Sequence, residues 1–381
     1  MLDYIKNKTI FANKYRTHSE AIIIACYFNP QGSDYRLKAF NIFYDSIKHL
    51  NHRIIECVIG ESTPQLPENK NISRVYTSDL LWHKEAGLNK IIRELPTQYK
   101  YVFWLDTDII FTNKDWLTDS VLELQSANIV QPFELCVHLE KDEEKPGFVF
   151  DDSYTFERLP NRRNNKVWRS FCATYADWGM LGWDEDYNNH GHVGLAWGAR
   201  REILDIIPLY DKALIGGADH IIAHAAAGQI PHKCIAKSFT DDIEGVETWS
   251  QEFYKWVDGK IGYASGSVFH IWHGDLSKRQ YLKRIKDFTS KTKDFAEKDE
   301  NGFYTHNDND TRKYVHNYFD VREVKSEDQN NGFLTSMAVG YLTDSAMIGA
   351  AAGGNLIGAM IGDMMNTSDI NEHNHDHENF S

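Results

Sequence analysis

Two carboxylates one residue apart, Asp106 and Asp108, follow directly on the apolar run Tyr101-Val102-Phe103-Trp104-Leu105 and precede another, Ile109-Ile110-Phe111. An ionised Asp is seldom buried unless it is paired or holds a metal. An Asp-Thr-Asp set between two hydrophobic runs therefore calls for a cation. Capping of the following turn is the bland alternative, common for Asp at strand ends. Position favours the first reading, because ligands of open α/β sheets sit at strand ends. Far downstream, Ser267-Val268-Phe269-His270-Ile271-Trp272-His273-Gly274-Asp275 reads as a strand ending in two histidines. An Asp pair with an imidazole is a mixed oxygen and nitrogen set for Mn²⁺ or Mg²⁺, the imidazole tilting it toward Mn²⁺. Such an ion bridges a diphosphate and stabilises a departing phosphate. Sugar transfer from a nucleotide sugar and nucleotidyl transfer both use that chemistry.

The elements that must position these residues alternate in type. Ala21–Phe28 is an uninterrupted apolar run closed by Asn29-Pro30-Gln31-Gly32, a buried first strand and its turn. Leu37, Phe40, Phe43, Ile47 and Leu50 fall at helical spacing. Residues 54–59 and 73–76 read as further strands, and Lys84–Leu95 as a helix with Leu88, Ile91, Ile92 and Leu95 on one face. Strand and helix in alternation predict a mainly parallel sheet with crossover helices. Residues 128–131 read as another strand, and 200–207 and 220–227 as helices. The acidic, aromatic segment 134–190, with Arg162, Arg163, Trp168, Trp178 and Trp183, reads as long loops and short helices over a site.

Composition narrows the class. The 381 residues are 42% hydrophobic and 25% charged, an ordinary globular balance with room for a large core. A formal net charge of −14 disfavours bulk attraction to nucleic acid or anionic membrane. Five scattered cysteines without a CxxC point to reduced thiols and a cytoplasmic setting rather than a disulfide frame. The first twenty residues lack the apolar core of a secretion signal. Residues 345–362 form a charge-free stretch with glycines spaced for close helix packing, suited to self-association or membrane contact. The ending His-Asn-His-Asp-His-Glu is a weak metal-binding tract, more consistent with disorder.

Phe103-Trp104-Leu105-Asp106-Thr107-Asp108, the upstream Trp82–Asn89 helix and the downstream strand ending in histidine resemble the GT-A-fold, metal-dependent glycosyltransferases, family-2-like, over about residues 20–287. The resemblance implies a Rossmann-like mixed, mainly parallel sheet flanked by helices. A glycosyltransferase domain would span 1–290, with a nucleotide-sugar half at 20–133 and an acceptor half at 134–290. A polar linker (291–335) and a Gly/Ala-rich helical tail (336–381) follow. It implies an enzyme, a hexosyl- or pentosyltransferase, moving a sugar from a UDP-linked donor to a hydroxyl of a glycan, a protein or a modified base. Position by position, Asp106 would contact ribose or metal and Asp108 would bind the metal, with His270 or His273 completing the set. Uridine would lie near Cys26, Tyr27 and Asn29, with Lys84 and Asn89 as polar contacts. Lys278 or Arg279 would hold diphosphate oxygens. Asp219, in Leu214-Ile215-Gly216-Gly217-Ala218-Asp219-His220, resembles the general base of inverting members. The family often has two acids there and this chain has Ala218-Asp219, so inverting or retaining stays open.

Three other readings compete. A sugar nucleotidyltransferase should carry a Gly-rich basic loop after the first strand, which Asn29–Ser33 is not. A phosphohydrolase built on His270, His273 and Asp275 lacks further ligands at suitable spacing. A non-catalytic sugar-binding or assembly protein would leave the Asp pair without a task.

Overall fold

The computed structural model describes residues 18–143, 167–178, 190–230, 232, 235, 243–274, 276–279, 298–306 and 309–322. Four parallel strands form its centre: β1 (Ala21–Phe28), β2 (His52–Ile59), β3 (Ile72–Thr77) and β4 (Tyr101–Leu105). They stand in the order β3-β2-β1-β4. The sheet continues through β9 (Ala196–Arg200), antiparallel to β4, and then β6 (Ile129–Gln131) and β10 (Ile261–Tyr263), parallel to each other. Helices α1 (Asp34–Ile47), α2 (Lys84–Glu94), α3 (Trp116–Glu123), α4 (Phe171–Trp178), α5 (Arg201–Ile206), α6 (Ala218–Ala226) and α7 (Ile243–Val257) surround it. The fold class is α/β, with a mixed, mainly parallel sheet flanked by helices.

Strand alternation makes two cores from one sheet. Side chains two residues apart share a face. Ile22, Ile24, Val102 and Trp104 join Leu88, Ile91 and Ile92 of α2 in one cluster. Ala21, Ile23, Ala25, Phe103 and Leu105 join Phe40 and Phe43 of α1 and Leu117 and Val121 of α3 in the other. Paired across β4 and β9, Trp104 and Trp197 stack with ring centroids 6.5 Å apart. Opposite Phe103 stands Gly198, where any Cβ would overlap the Phe103 ring, so only glycine admits the phenyl group. Asp106 is the next even-numbered residue after Trp104, which carries its side chain toward the α2 face.

A smaller sheet, β5-β11-β7-β8, lies beyond Asp108. It comprises β5 (Ile109–Phe111), β7 (Leu135–His138), β8 (Val167–Arg169) and β11 (Ser267–His270). Parts of 134–190 are therefore strand (β7, β8) rather than loop, and α4 is a short helix of the kind expected there. The expected polar linker also departs from expectation over 298–306 and 309–322. There α8 (Asn309–Arg322) buries Val315 and Phe319, and Phe303 before it is fully buried. Arg312 of α8 pairs with Asp79 at 2.9 Å, and Phe303 meets His83 edge-on at 5.1 Å. Phe319 packs on Phe28 and Trp82. This segment buttresses the loop that leads into Lys84. The segment 345–362, the acidic tail, Arg162, Arg163, Trp183, Cys234, Asp275 and the basic helix beyond residue 279 fall outside the described residues. No helix among the described residues is long and apolar enough to cross a membrane.

Candidate active site

β4 ends at Leu105, and Asp106 turns the chain with its N–H donating to the Leu195 carbonyl at 2.7 Å. Leu195 holds a φ of 79°, a left-handed conformation that costs a branched residue about 1–3 kcal/mol. Such strain gathers at sites whose geometry is over-determined. Two further elements converge here. The Trp82 N–H donates to the Leu214 carbonyl at 2.8 Å, stitching the start of α2 to the loop before α6. That loop passes through Gly216 and Gly217, at φ 93° and 105°, values glycine adopts without a Cβ penalty. The result is that Asp219 in the first turn of α6 faces Lys84 in the first turn of α2.

Lys84 joins the two carboxylates. Its ammonium lies 2.6 Å from Asp106 Oδ1 and 3.1 Å from Asp219 Oδ2. Burial acts against the charge on Lys84, but Asp106, Asp219 and Glu85 together hold its pKa well above the ordinary lysine value. Burial lifts Asp106 to about 6, with Lys84 opposing and Asp219 and Asp108 adding. A quarter of the Asp106 side chain (26%) stays open to solvent, so we take the carboxylate as ionised at neutral pH. Glu85, 3% exposed beside Lys84, is raised by burial to about 8 and is largely protonated at neutral pH. Gly194 brings bare backbone to this cluster, a Cβ there lying 3.6 Å from Asp219 Oδ2.

A second cluster forms around Asp108. Its carbonyl accepts the Ile271 N–H at 2.8 Å, and β11 pairs antiparallel with β5 so that His270 faces Ile109. Those constraints bring His273 Nε2 to 2.9 Å and His270 Nε2 to 3.7 Å from Asp108 Oδ2. Burial opposes the charge on Asp108, yet the two imidazoles and the Arg279 guanidinium hold its pKa well below the carboxylate range. Burial, with Arg279 nearby, lowers His270 to about 3 and pushes His273 well below its ordinary value. The rings are therefore neutral, each offering its Nε2 lone pair to Arg279, and the guanidinium is what keeps Asp108 ionised. Arg279, at the end of the single turn Leu276–Arg279, donates to His273 Nε2 at 2.8 Å and to His270 Nε2 at 3.2 Å.

This cluster fits a divalent cation. Ligand atoms of Asp108, His270 and His273 all lie within 4.8 Å of one another. Asp108 Oδ1 is buried with no hydrogen-bond partner among the described residues, an acceptor that a cation would satisfy. Arg279 engages both Nε2 atoms and would have to release them. Asp106, expected beside the metal, is engaged instead by Lys84.

The other expected contacts have internal partners. Cys26 Sγ lies 3.5 Å from Cys57 Sγ, and the Tyr27 hydroxyl donates to Gln65 Oε1 at 2.8 Å. Asn29 donates to Gln65 and to the Ser33 carbonyl and accepts from the Ser33 N–H, closing its turn. Asn89 is 2% exposed, and its amide both donates to and accepts from the Leu209 backbone, at 2.8 and 2.9 Å. It holds the loop after α5 instead of facing the carboxylates. Lys278 is half-buried on the turn from which Arg279 reaches the histidines. Sequence reasoning missed the Lys84 bridge and the role of Glu85; the only signal was an unusual Lys-Glu pair opening an otherwise apolar helix face. A surface concavity lined by Tyr101, Gln125, Arg200 and Arg201 lies at the opposite end of β4. Its arginines bond the backbone carbonyls of Leu95, Pro96, Leu124 and Gln125, a structural task.

No family model and no curated protein matches this sequence. Among solved structures, 74% of the chain is similar to 81% of glucosyl-3-phosphoglycerate synthase from Mycobacterium tuberculosis, at 12% identity and a TM-score of 0.36. The same share is similar to 99% of 4-diphosphocytidyl-2C-methyl-D-erythritol synthase from Anaerococcus prevotii, at 11% identity and a TM-score of 0.31. At these scores the likeness bears on neither the fold nor the chemistry of this chain.

Proposed function

We propose that the protein is a glycosyltransferase that moves a hexose or pentose from a nucleotide-sugar donor, UDP-linked, to a hydroxyl acceptor. The observation that carries this reading is the convergence beyond β4 of two chemically different clusters one residue apart: Lys84–Asp106–Asp219 on one side and Asp108–His270–His273–Arg279 on the other. Asp108, His270 and His273 would hold Mn²⁺ or Mg²⁺, which when bound supplies positive charge to the departing diphosphate. Arg279, freed from the two imidazoles, is a fixed guanidinium suited to phosphate oxygens. Lys84 holds Asp106 in place for the ribose and sets the orientation of Asp219. Asp219 keeps 22% of its side chain open to solvent, enough to accept the proton of an incoming hydroxyl. Glu85, as the neutral acid, adds no further negative charge beside it.

The nucleotidyltransferase alternative has less support. The segment after β1 is a tight turn closed by the Asn29 side chain, with no basic loop to cradle a triphosphate. The test is nucleotide release from UDP-, GDP-, CMP- and dTDP-linked sugars in the presence of Mn²⁺. Release from one donor class that stops in Asp108→Asn supports the reading. Failure to consume any donor, with wild type and variant alike, rejects it.

A further inference from the structure

A third cluster lies behind Asp219. His220 and His224 are one helical turn apart on α6, so both rings project from one face. His190, immediately before the short connection into β9, closes on them, with ring centroids 5.0 Å from His220 and 5.1 Å from His224. All three are buried, at 3%, 4% and 0% exposure, and a ligand nitrogen from each lies within 4.8 Å of the others. The two Nε2 atoms on α6 are 3.1 Å apart. Nitrogens of a tetrahedral zinc site, bonded at about 2.0–2.1 Å, are separated by roughly 3.4 Å.

The surroundings orient these rings as an outer shell orients metal ligands. Gln229 Oε1 lies 3.1 Å from His224 Nδ1, and the Gly191 carbonyl lies 3.0 Å from His190 Nδ1. A proton held at each Nδ1 by those acceptors turns the Nε2 lone pair toward the cluster, the arrangement seen around ligating histidines. Phe171 packs against the rings of His224 and His190, with centroids 5.8 and 6.2 Å away, so three imidazoles are gathered where polar groups are costly unless satisfied. No carboxylate is among the three, and an all-imidazole set suits Zn²⁺ rather than Mg²⁺ or Mn²⁺, which favour oxygen. His232, whose ring stacks on His224 at 4.4 Å, stands beside them as a fourth candidate.

We propose that His190, His220 and His224 form a structural zinc site, separate from the Asp108 cluster, that pins the first turn of α6 to the segment entering β9. Because His220 follows Asp219 directly, the ion would fix the carboxylate that Lys84 engages. Zinc binding here does not depend on the transferase reading and can fail or succeed without it.

The test uses the full chain, stripped with chelator, reloaded with Zn²⁺ and dialysed, with metal measured by mass spectrometry. About one zinc ion per chain should remain in wild type and in Asp108→Asn, and should be lost in His190→Gln and His224→Gln. Because a helix variant could unfold, His190→Gln, which lies outside α6, is judged together with its far-UV circular dichroism. Wild type loaded with Co²⁺ should also show the visible absorption of a low-symmetry, nitrogen-ligated ion, absent in His190→Gln. Wild type that retains no zinc overturns the proposal. So does zinc that survives in folded His190→Gln, or that disappears in Asp108→Asn.

Discussion

Replacing Lys84 with Met removes the cation that bridges Asp106 and Asp219 while keeping most of the aliphatic side chain. At an effective dielectric of about 20, the contacts at 2.6 and 3.1 Å correspond to roughly 6 and 5 kcal/mol of gross attraction. Desolvation of the ammonium offsets much of this, and breaking a buried pair by removing one partner costs about 3–5 kcal/mol net. For a domain of this size about 2–4 °C is lost per kcal/mol, so the melting temperature should fall by roughly 6–20 °C at neutral pH. The sign of the pH dependence follows from the carboxylates left behind. Without Lys84 the folded-state pKa of Asp106 rises further above its unfolded value. The penalty is then full above the folded pKa and vanishes below the unfolded one. The deficit between variant and wild type should therefore shrink as pH falls toward about 4. Adding Asp219→Asn to Lys84→Met should recover part of the loss. Thermal unfolding followed by circular dichroism across this pH range is the assay. A deficit below about 1 kcal/mol, or one that does not change with pH, would mean that the bridge is a solvent-screened contact and the reasoning is wrong.

Other consequences follow from the same clusters. Glu85, at about 8 in the folded protein, holds its proton while the unfolded chain gives it up, so stability falls as pH rises from the ordinary carboxylate range to about 8. Glu85→Gln should therefore gain stability over wild type progressively across that window, by several kcal/mol at about 1.4 kcal/mol per pKa unit; a constant difference counts against it. Asn89→Ala strands a buried N–H and C=O of Leu209 and should cost about 2–4 kcal/mol in chemical denaturation. Its nucleotide affinity should stay within about twofold, and a selective loss of nucleotide binding would instead return Asn89 to the donor site. Arg279→Gln removes the donor that occupies both Nε2 lone pairs, so Mn²⁺ affinity should rise about tenfold while UDP affinity drops by a similar factor. Calorimetry that shows both falling together would make Arg279 a structural support of the cluster.

Much of this arrangement is legible in the sequence because it is local. The run 101–105 with its Asp pair, the apolar stripe of α2 and the strand carrying His270 are each set by residues that are neighbours in the chain. What was not legible depends on distance along the chain. Asn89 resembles a ligand contact until its partner Leu209, 120 residues away, is in view. β7 and β8 are four and three residues long, too short for a period of two to be read, and they are formed by their pairing. The polar composition of 298–322 hid an apolar pattern at Tyr314, Val315, Tyr318 and Phe319, which is the face α8 packs inward. The His190–His220–His224 cluster did carry a signal, a His-x-x-x-His on a helix. Its third member lies thirty residues upstream, beyond what the spacing on one helix reveals.

A metal-assisted nucleotide-sugar site at Asp108 makes UDP binding depend on the ion. Titrating the protein with UDP in a calorimeter, with and without Mn²⁺ and alongside Asp108→Ala, reads that dependence. Micromolar binding that needs the ion and is lost in the variant is the predicted result. Absence of UDP binding to wild type with Mn²⁺ present, or binding indifferent to both the ion and Asp108, would contradict it.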